Sequence, residues 1–229
     1  MKFGVVTFPG SNCDQDMVYV LKDLMGQEVV ELWHKDTDLQ GADFIVIPGG
    51  FSYGDYLRSG AIAKFSPIME SVIAHANNGG YVMGICNGFQ ILTESGLLEG
   101  ALLHNDTQKF ICKNVYLKPV SQSAAPSQDL DQNKAYQIPI AHGEGRFYAD
   151  DATMASLQAN DQILFTYCAA DGSQDASSNP NGSLHHIAGI TNRNKNVFGM
   201  MPHPERAADQ HLNNTDGLRI FESILAHCS

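Results

Sequence analysis

A cysteine between two glycines is the first candidate for chemistry in this chain. Cys86 lies in Gly84-Ile85-Cys86-Asn87-Gly88, after an apolar run that ends at residue 85 and before apolar residues at helical spacing. The glycines lack the Cβ atoms that would collide where a strand turns directly into a helix, as in the elbow of hydrolases. Free N–H groups at a helix start favour a thiolate. The pattern predicts a nucleophile, and a buried structural cysteine is the alternative.

A base is predicted in Met201-Pro202-His203-Pro204-Glu205. Both prolines restrict φ, and a residue before proline is pushed to extended geometry, so we expect His203 to be β-like. Side chains two positions apart on an extended segment point the same way. We therefore expect Glu205 to accept a hydrogen bond from one ring nitrogen of His203 and to stabilise the imidazolium. Cys86 lacks such a base in its own segment.

His142 is the rival base, because Glu144 also follows it by two residues. The residue between them is Gly143, which leaves the backbone free and the pair poorly preorganised. We therefore assign the base role to His203. The remaining histidines have no comparable context.

Composition limits the class of protein. The chain has 229 residues, of which 43% are hydrophobic and 17% charged, and we expect residues 1–229 to form one domain. A net charge of −11 with scattered Lys and Arg argues against a nucleic-acid partner. The five cysteines form no Cys-x-x-Cys pair and no metal-type spacing, so we expect no metal and reduced thiols in a cytoplasmic protein. The first apolar run breaks at Pro9-Gly10, too early for a signal peptide or membrane span.

Strands alternate with helices along the chain, which is typical of an α/β protein whose mostly parallel central sheet carries helices on both faces. The patterns predict strands at 3–8, 29–33, 44–47, 109–117, 163–167, 187–191 and 197–201, and helices at 14–25, 61–77, from 87 and at 151–159. Residues 192–196 read as a hairpin turn. Residues 121–135, rich in Ser, Gln and Asp, read as a mobile surface loop.

The strand at 44–47 stops at Pro48-Gly49-Gly50 and opens a glycine-rich loop over residues 51–60. Ligands bind at the carboxyl ends of parallel strands in such folds. A plain connector is the alternative, but this loop carries three aromatic rings and Arg58, which favours a functional loop.

These motifs, in this order, resemble those of the triad (class I) glutamine amidotransferases, whose fold is flavodoxin-like. Five stretches resemble more closely the glutaminase subunits of bacterial phosphoribosylformylglycinamidine synthases: residues 8–14, 49–58, 84–90, 142–146 and 200–207. The departures are small. Ser59, Thr107 and Lys113 stand where that family often has Cys, Ser and Arg.

The resemblance implies that Cys86 attacks the side-chain amide of glutamine, while His203, with Glu205 beside it, moves the protons. The backbone N–H groups of Gly50 and Asn87 would form the oxyanion hole, which fits a residue placed just after the nucleophile at a helix start.

The same resemblance implies that Gln90, His142 and Gly143 line the glutamine pocket. It implies no metal and no cofactor bound by this chain.

The chain has no Gly-x4-Gly-Lys-Ser/Thr phosphate loop, so another chain must carry out any ATP-driven amination. Ammonia released into water would be protonated and lost as a nucleophile, so the site should adjoin a partner's channel. The resemblance implies a large synthetase subunit, which uses ATP and magnesium to aminate formylglycinamide ribonucleotide in de novo purine synthesis. It also implies a small third subunit that bridges the two.

Two alternatives stay open. A stand-alone cysteine hydrolase of γ-glutamyl or peptide bonds on the same fold would turn over fully without a partner. A non-enzymatic interaction protein that kept the elbow would not be labelled at Cys86 by an electrophilic glutamine analogue.

Overall fold

The structure is a computed structural model that describes residues 1–228. The described chain forms two compact units. The first unit contains residues 1–98 and 196–199, and the second contains residues 99–195 together with the chain from Met200 onward.

The first unit is built around four parallel strands. They are β1 (Lys2–Thr7), β2 (Glu28–Trp33), β3 (Phe44–Ile47) and β4 (Tyr81–Ile85). Their order is β2-β1-β3-β4, and each neighbouring pair is parallel. β3 is buried at every residue and β4 at all but its first, as expected of parallel strands covered on both faces.

Three helices accompany these strands: α1 (Asp14–Val18), α2 (Pro67–Asn77) and α3 (Asn87–Glu94). α1 continues through π-helical turns over Tyr19–Leu24, so the predicted helix at 14–25 is present. α1 packs on β1, α2 packs on β4, and α3 packs on β3 and β4. The parallel strands thus position the loops after β1 and β3 and the start of α3, where the predicted site residues of this unit lie.

The helix predicted from residue 61 begins only at Pro67, so that boundary was wrong. Ser66 is extended, with φ −66° and ψ 143°, because a residue before proline avoids helical geometry. Proline suits the first helical position, where its missing N–H costs nothing. Residues Ala63–Phe65 form a separate 3₁₀ turn.

The second unit contains mainly antiparallel strands. They are β5 (Ala101–Leu103), β6 (Ile111–Pro119), β7 (Tyr136–His142), β8 (Arg146–Tyr148), β9 (Ile163–Cys168) and β10 (Ile187–Thr191). Four lie in the order β10-β9-β6-β7, and β5 pairs with β8, with antiparallel pairing throughout. β11 (Val197–Met200) begins in the first unit and ends in the second. The sequence predicted the hairpin turn before β11 but not these antiparallel pairs.

The helices of the second unit are α4 (Asp151–Ala159) and α5 (Asp216–His227). α4 has the predicted bounds, and the side chain of Asp150 caps it by accepting from the N–H of Thr153 at 2.8 Å. Across residues 1–228, no helix is both long and apolar enough to cross a membrane.

The segment 121–135 is not the mobile surface loop that the sequence predicted. Ser127 is fully buried within it. Ser223 of α5 donates a hydrogen bond to the carbonyl of Ala125 and accepts one from the N–H of Asp129 at 3.2 Å. The prediction was wrong because small residues here let the backbone pack against α5, a role that a polar composition does not reveal.

Candidate active site

Cys86 occupies the predicted corner between β4 and α3. Its backbone lies at φ 51° and ψ −106°, a left-handed conformation that strains any residue with a Cβ. The residue is only 5% exposed. Such strain persists only where the surroundings hold the backbone on both sides, and it clusters at active sites. The corner therefore has the backbone expected of a nucleophile.

The two flanking glycines make this corner possible. A Cβ on Gly84 would lie 2.5 Å from the carbonyl carbon of Gly88. A Cβ on Gly88 would collide with the carbonyl oxygen of Ile47 in β3. Because backbone atoms cannot move aside as a flexible side chain can, both positions require glycine. The steric argument made from the sequence is confirmed.

Asn87 ties the elbow to the loop after β3. Its Oδ1 accepts a hydrogen bond from the backbone N–H of Ser52 at 3.1 Å, and its Nδ2 donates to Oε1 of Gln90 at 2.9 Å. Nδ2 also lies 3.4 Å from Oδ1 of Asp55. The sequence assigned a role only to the backbone N–H of Asn87. Its side chain proves to set the position of both the loop and Gln90.

Gly50 lies where this loop meets the turn after β1, and it forms an isolated bridge with Ser11. A Cβ on Gly50 would lie 2.8 Å from backbone atoms of Gly10, Ser11 and Asn12. The N–H of Phe51 donates to the carbonyl of Gly10 at 2.8 Å. The turn after β1 and the start of the loop after β3 are thus hydrogen-bonded to each other, which fixes the peptide of Gly50.

The N–H groups of Gly50 and Asn87 are the predicted oxyanion donors. Neither donates to a backbone carbonyl of residues 1–228. For Asn87 the reason is its place in the first turn of α3, where N–H groups have no intrahelical acceptor. Both donors can therefore serve a developing negative charge.

His203 and Glu205 form a buried pair in the second unit. Nδ1 of the ring lies 2.6 Å from Oε1 of the carboxylate, and the two side chains are 2% and 0% exposed. His203 lies at φ −102° and ψ 88°, just short of the extended region, and its N–H donates to the carbonyl of Pro139 in β7 at 2.9 Å. Glu205 instead lies in the 3₁₀ turn Pro204–Ala207. The expected pair is present, but the turn, and not a shared extended segment, brings its members together.

Gly217 secures this turn from the other side. A Cβ on Gly217 would collide with the carbonyl oxygen of Pro204, so the first turn of α5 packs directly on the turn that carries Glu205.

Oε2 of Glu205 is buried without a hydrogen-bond partner in the described chain. A buried carboxylate with one partner depends strongly on that partner. The pair is therefore built as a unit.

Among residues 1–228, His142, the rival base, has no carboxylate partner. Its Nδ1 lies 3.1 Å from Oδ1 of Asn105, while Glu144 pairs with His104 at 3.5 Å. Burial, with a smaller contribution from the positive charge of His203, lowers the pKa of His142 to about 4. Its Nε2 is buried and makes no hydrogen bond within residues 1–228. A neutral ring without an acid beside it suits a ligand contact better than a base.

Asn105 organises the loop around His142, and the sequence reasoning missed it. The side chain is fully buried. Its Oδ1 accepts from the N–H of Gly145 at 3.2 Å, and its Nδ2 donates to the carbonyls of His142 and Lys109, each at 2.9 Å. A Cβ on Gly145 would collide with the His142 ring. A single buried asparagine follows no pattern that a sequence can show.

Each unit holds one set of the predicted residues. The first contains Gly50, Cys86, Asn87 and Gln90, and the second contains His142, Gly143, His203 and Glu205. Within the first set, one asparagine side chain joins the glycine loop to the residues after the cysteine. Within the second set, the two histidines interact electrostatically and only one has a carboxylate. The first set contains a strained thiol and two candidate oxyanion donors, and the second set contains a buried histidine with a carboxylate on one ring nitrogen.

The chain is similar to known glutamine amidotransferases along its whole length. Residues 1–224 match the family model described as CobB/CobQ-like glutamine amidotransferase domain. Phosphoribosylformylglycinamidine synthase subunit PurQ of Gloeobacter violaceus is 55% identical, covering 99% of this chain and 97% of that protein. The subunit of the same name from Koribacter versatilis is 56% identical, covering 98% and 97%.

Two solved structures share the fold. The PurLQS structure from Thermotoga maritima matches with a TM-score of 0.86 and 40% identity over 100% of this chain and 99% of that chain. A Thermoplasma acidophilum protein described as a GMP synthase subunit matches with a TM-score of 0.62 and 15% identity over 100% and 94%. The second likeness concerns the fold alone. Together with the parallel strands, these matches confirm the predicted α/β amidotransferase fold.

Proposed function

The chain belongs to the CobB/CobQ-like glutamine amidotransferase family, and on that premise we propose that it is the glutaminase subunit of a phosphoribosylformylglycinamidine synthase. The observation that carries the proposal is identity of 55% over 99% of this chain and 97% of a relative with that name. The strained Cys86 and the buried pair of His203 and Glu205 supply the chemistry that such a subunit needs.

In the proposed reaction, Sγ of Cys86 attacks the side-chain carbonyl carbon of glutamine, and the thiol proton passes to Nε2 of His203. Glu205 holds Nδ1 and stabilises the positive ring. The N–H groups of Gly50 and Asn87 stabilise the oxyanion. As the C–N bond breaks, the ring returns its proton to the leaving ammonia. Water, deprotonated by the same ring, then hydrolyses the thioester to glutamate and the free thiol.

The substrate pocket is proposed to include Gln90, His142 and Gly143. Oε1 of Gln90 is already held by Asn87, so its position is set before substrate arrives. The neutral His142 ring offers a buried Nε2 without a partner in residues 1–228. A buried polar atom of this kind is stabilised when a ligand supplies the missing hydrogen bond.

The partners are proposed because ammonia must reach a second active site before water protonates it. A large synthetase subunit, with ATP and magnesium, would aminate formylglycinamide ribonucleotide, and a small subunit would bridge the two chains. The likeness to a chain of the PurLQS structure supports this assembly. The present chain would bind neither the nucleotide nor the metal, and its place would be the cytoplasm.

We also propose that residues 1–229 act as one domain, although the described chain forms two compact units. A single family model spans residues 1–224, and β11 begins in one unit and ends in the other. Urea unfolding followed by tryptophan fluorescence and by circular dichroism should give one coincident transition. Two separated transitions would contradict the proposal.

The decisive experiment mixes the chain with its cognate synthetase and bridging subunits, ATP, magnesium and formylglycinamide ribonucleotide. Glutamate release should be weak for the isolated chain and strongly stimulated in the mixture. Cys86→Ala should abolish glutamine-dependent amination and leave ammonia-dependent amination intact.

The two alternatives give other results. Full glutamine or peptide turnover without the synthetase would favour a stand-alone hydrolase. Failure of an electrophilic glutamine analogue to label Cys86 would favour an interaction protein without activity.

A further inference from the structure

Within the first unit, a loop begins just after Gly50 and ends at the start of α2. Its neck is formed by Tyr53, whose hydroxyl lies 2.8 Å from Oγ of Ser66 and 2.6 Å from Nδ1 of His34. The carbonyl of His34 accepts from the N–H of Ile68 at 3.2 Å. Both ends of the segment 53–66, which we call the docking loop, are therefore held at one point.

The middle of the docking loop rests on α3. A Cβ on Gly60 would lie 2.8 Å from the backbone nitrogen of Ile91, so the loop touches the helix backbone. Glu94 near the end of α3 lies 2.8 Å from Arg58 and 3.7 Å from Lys64. The helix that begins directly after Cys86 thus supports the loop over much of its length, and the loop is a built feature of the surface.

Three large apolar side chains nevertheless point from this supported loop into solvent. Tyr56, Leu57 and Phe65 are 70%, 82% and 79% exposed. Exposed apolar residues are ordinary when they are scattered, but here they belong to one anchored loop beside the elbow. Aromatic residues are also enriched at protein interfaces.

The backbone of the docking loop is strained at the same place. Tyr53, Asp55 and Leu57 all have left-handed φ, at 54°, 53° and 73°. A branched, exposed residue such as Leu57 gains no buried contact in return for this conformation. Strain of this kind in a supported surface loop indicates a function for the displayed side chains.

From these observations we propose that Tyr56, Leu57 and Phe65 form the surface on which the ATP-dependent synthetase subunit docks. The inference rests on the proposed function, because it assigns the partner of that same site. Ammonia forms at Cys86, and it must reach the acceptor before water protonates it. The partner must therefore cover the surface nearest the elbow. The docking loop follows the Gly50 turn directly along the chain and rests on α3, so it lies beside the elbow that the partner must cover.

The test measures the affinity of the full chain for the purified synthetase, with the bridging subunit present, by isothermal titration calorimetry. Tyr56→Ser with Leu57→Ser should raise the dissociation constant at least tenfold. Leu57→Asn is a second variant, because asparagine tolerates left-handed φ and removes the apolar surface without adding strain. Leu212→Ser is the matched control, since Leu212 is 57% exposed in the second unit and should bind as the wild type does.

The outcomes separate the docking surface from the proposed function. If the wild type supports glutamine-dependent amination while both loop variants bind within twofold of it, the docking surface is wrong and the function stands. If the wild type supports no such amination, the proposed function is wrong, and the docking surface, which rests on it, is wrong as well. Dimerisation of the isolated chain that Leu57→Asn abolishes would assign the surface to a second copy and overturn the proposal.

Discussion

Glu205 reaches Nδ1 of His203 at 2.6 Å from within the 3₁₀ turn that begins directly after His203. The contact holds Nδ1, so Nε2 is the ring nitrogen that would exchange protons in the proposed reaction. Because Oε2 of Glu205 has no hydrogen-bond partner in the described residues, the contact with His203 is the chief polar interaction of this buried carboxylate.

Glu205→Gln should lower kcat for glutamine-dependent amination by about 100-fold or more, because the amide keeps the shape but loses the charge that stabilises the ring. Steady-state kinetics of the reconstituted complex measure the change. Ammonia-dependent amination is the internal control and should be unaffected. A kcat within threefold of the wild type would show that the carboxylate does not assist the base.

Acid should destabilise the fold through His142. Its pKa is about 4 in the folded chain and 6.5 when unfolded, so the unfolded state alone takes up a proton between these values. Stability is therefore full above pH 6.5 and falls as the pH drops to 4, by about 3 kcal/mol for this group. Urea unfolding at pH 7, 5.5 and 4.5 measures the loss.

His142→Gln should remove part of this slope with pH, because the variant has no ring to protonate. Asn133→Ala, which removes no titratable group and lies at an exposed position, is the control. An equal slope in the wild type and His142→Gln would contradict the assignment.

Asn105→Ala should destabilise the chain by about 3 kcal/mol, because it leaves the buried N–H of Gly145 and the carbonyl of His142 without their partner. It should also raise KM for glutamine more than it lowers kcat, since it frees the loop at His142. Asn133→Ala, at an exposed position, is the control. Unchanged stability and KM would remove Asn105 from the site.

Gly88→Ala should cost about 3 kcal/mol or more, because the new Cβ collides with the carbonyl oxygen of Ile47. The free energy of unfolding in urea measures this. Gly143→Ala is the control for stability alone, since its Cβ would meet nothing closer than 3.9 Å and should change stability by less than about 0.5 kcal/mol. If both variants were equally stable, the elbow would not depend on its glycines.

The geometry of the elbow could be predicted because its cause is local. Gly84 and Gly88 stand two positions from Cys86, and the steric need for both follows from a strand that turns into a helix. The partnership of His203 with Glu205 was also predicted, although the turn that produces it was not. Pro202 and Pro204 restrict the backbone around His203, but they do not predict the 3₁₀ turn that follows it.

The contacts that the sequence did not predict join residues far apart along the chain. Asn105 holds Gly145 across 40 positions, and the side chain of Asn87 holds Ser52 across 35. The segment 121–135 was misread because its partner, α5, begins about ninety residues further along the chain, and Ser223 bonds to Asp129 across 94 positions.

The amino-acid sequence was enough to predict a candidate nucleophile, the pairing of His203 with Glu205, the alternation of strands and helices, and the resemblance to a family. All of these depend on neighbours along the chain, through steric limits, periodicity and spacing. The fold was needed to show that Glu144 pairs with His104, what holds the glycine loop, and which apolar side chains stay in solvent. Those facts depend on close packing between distant segments, and a linear pattern carries no record of which distant atoms will meet.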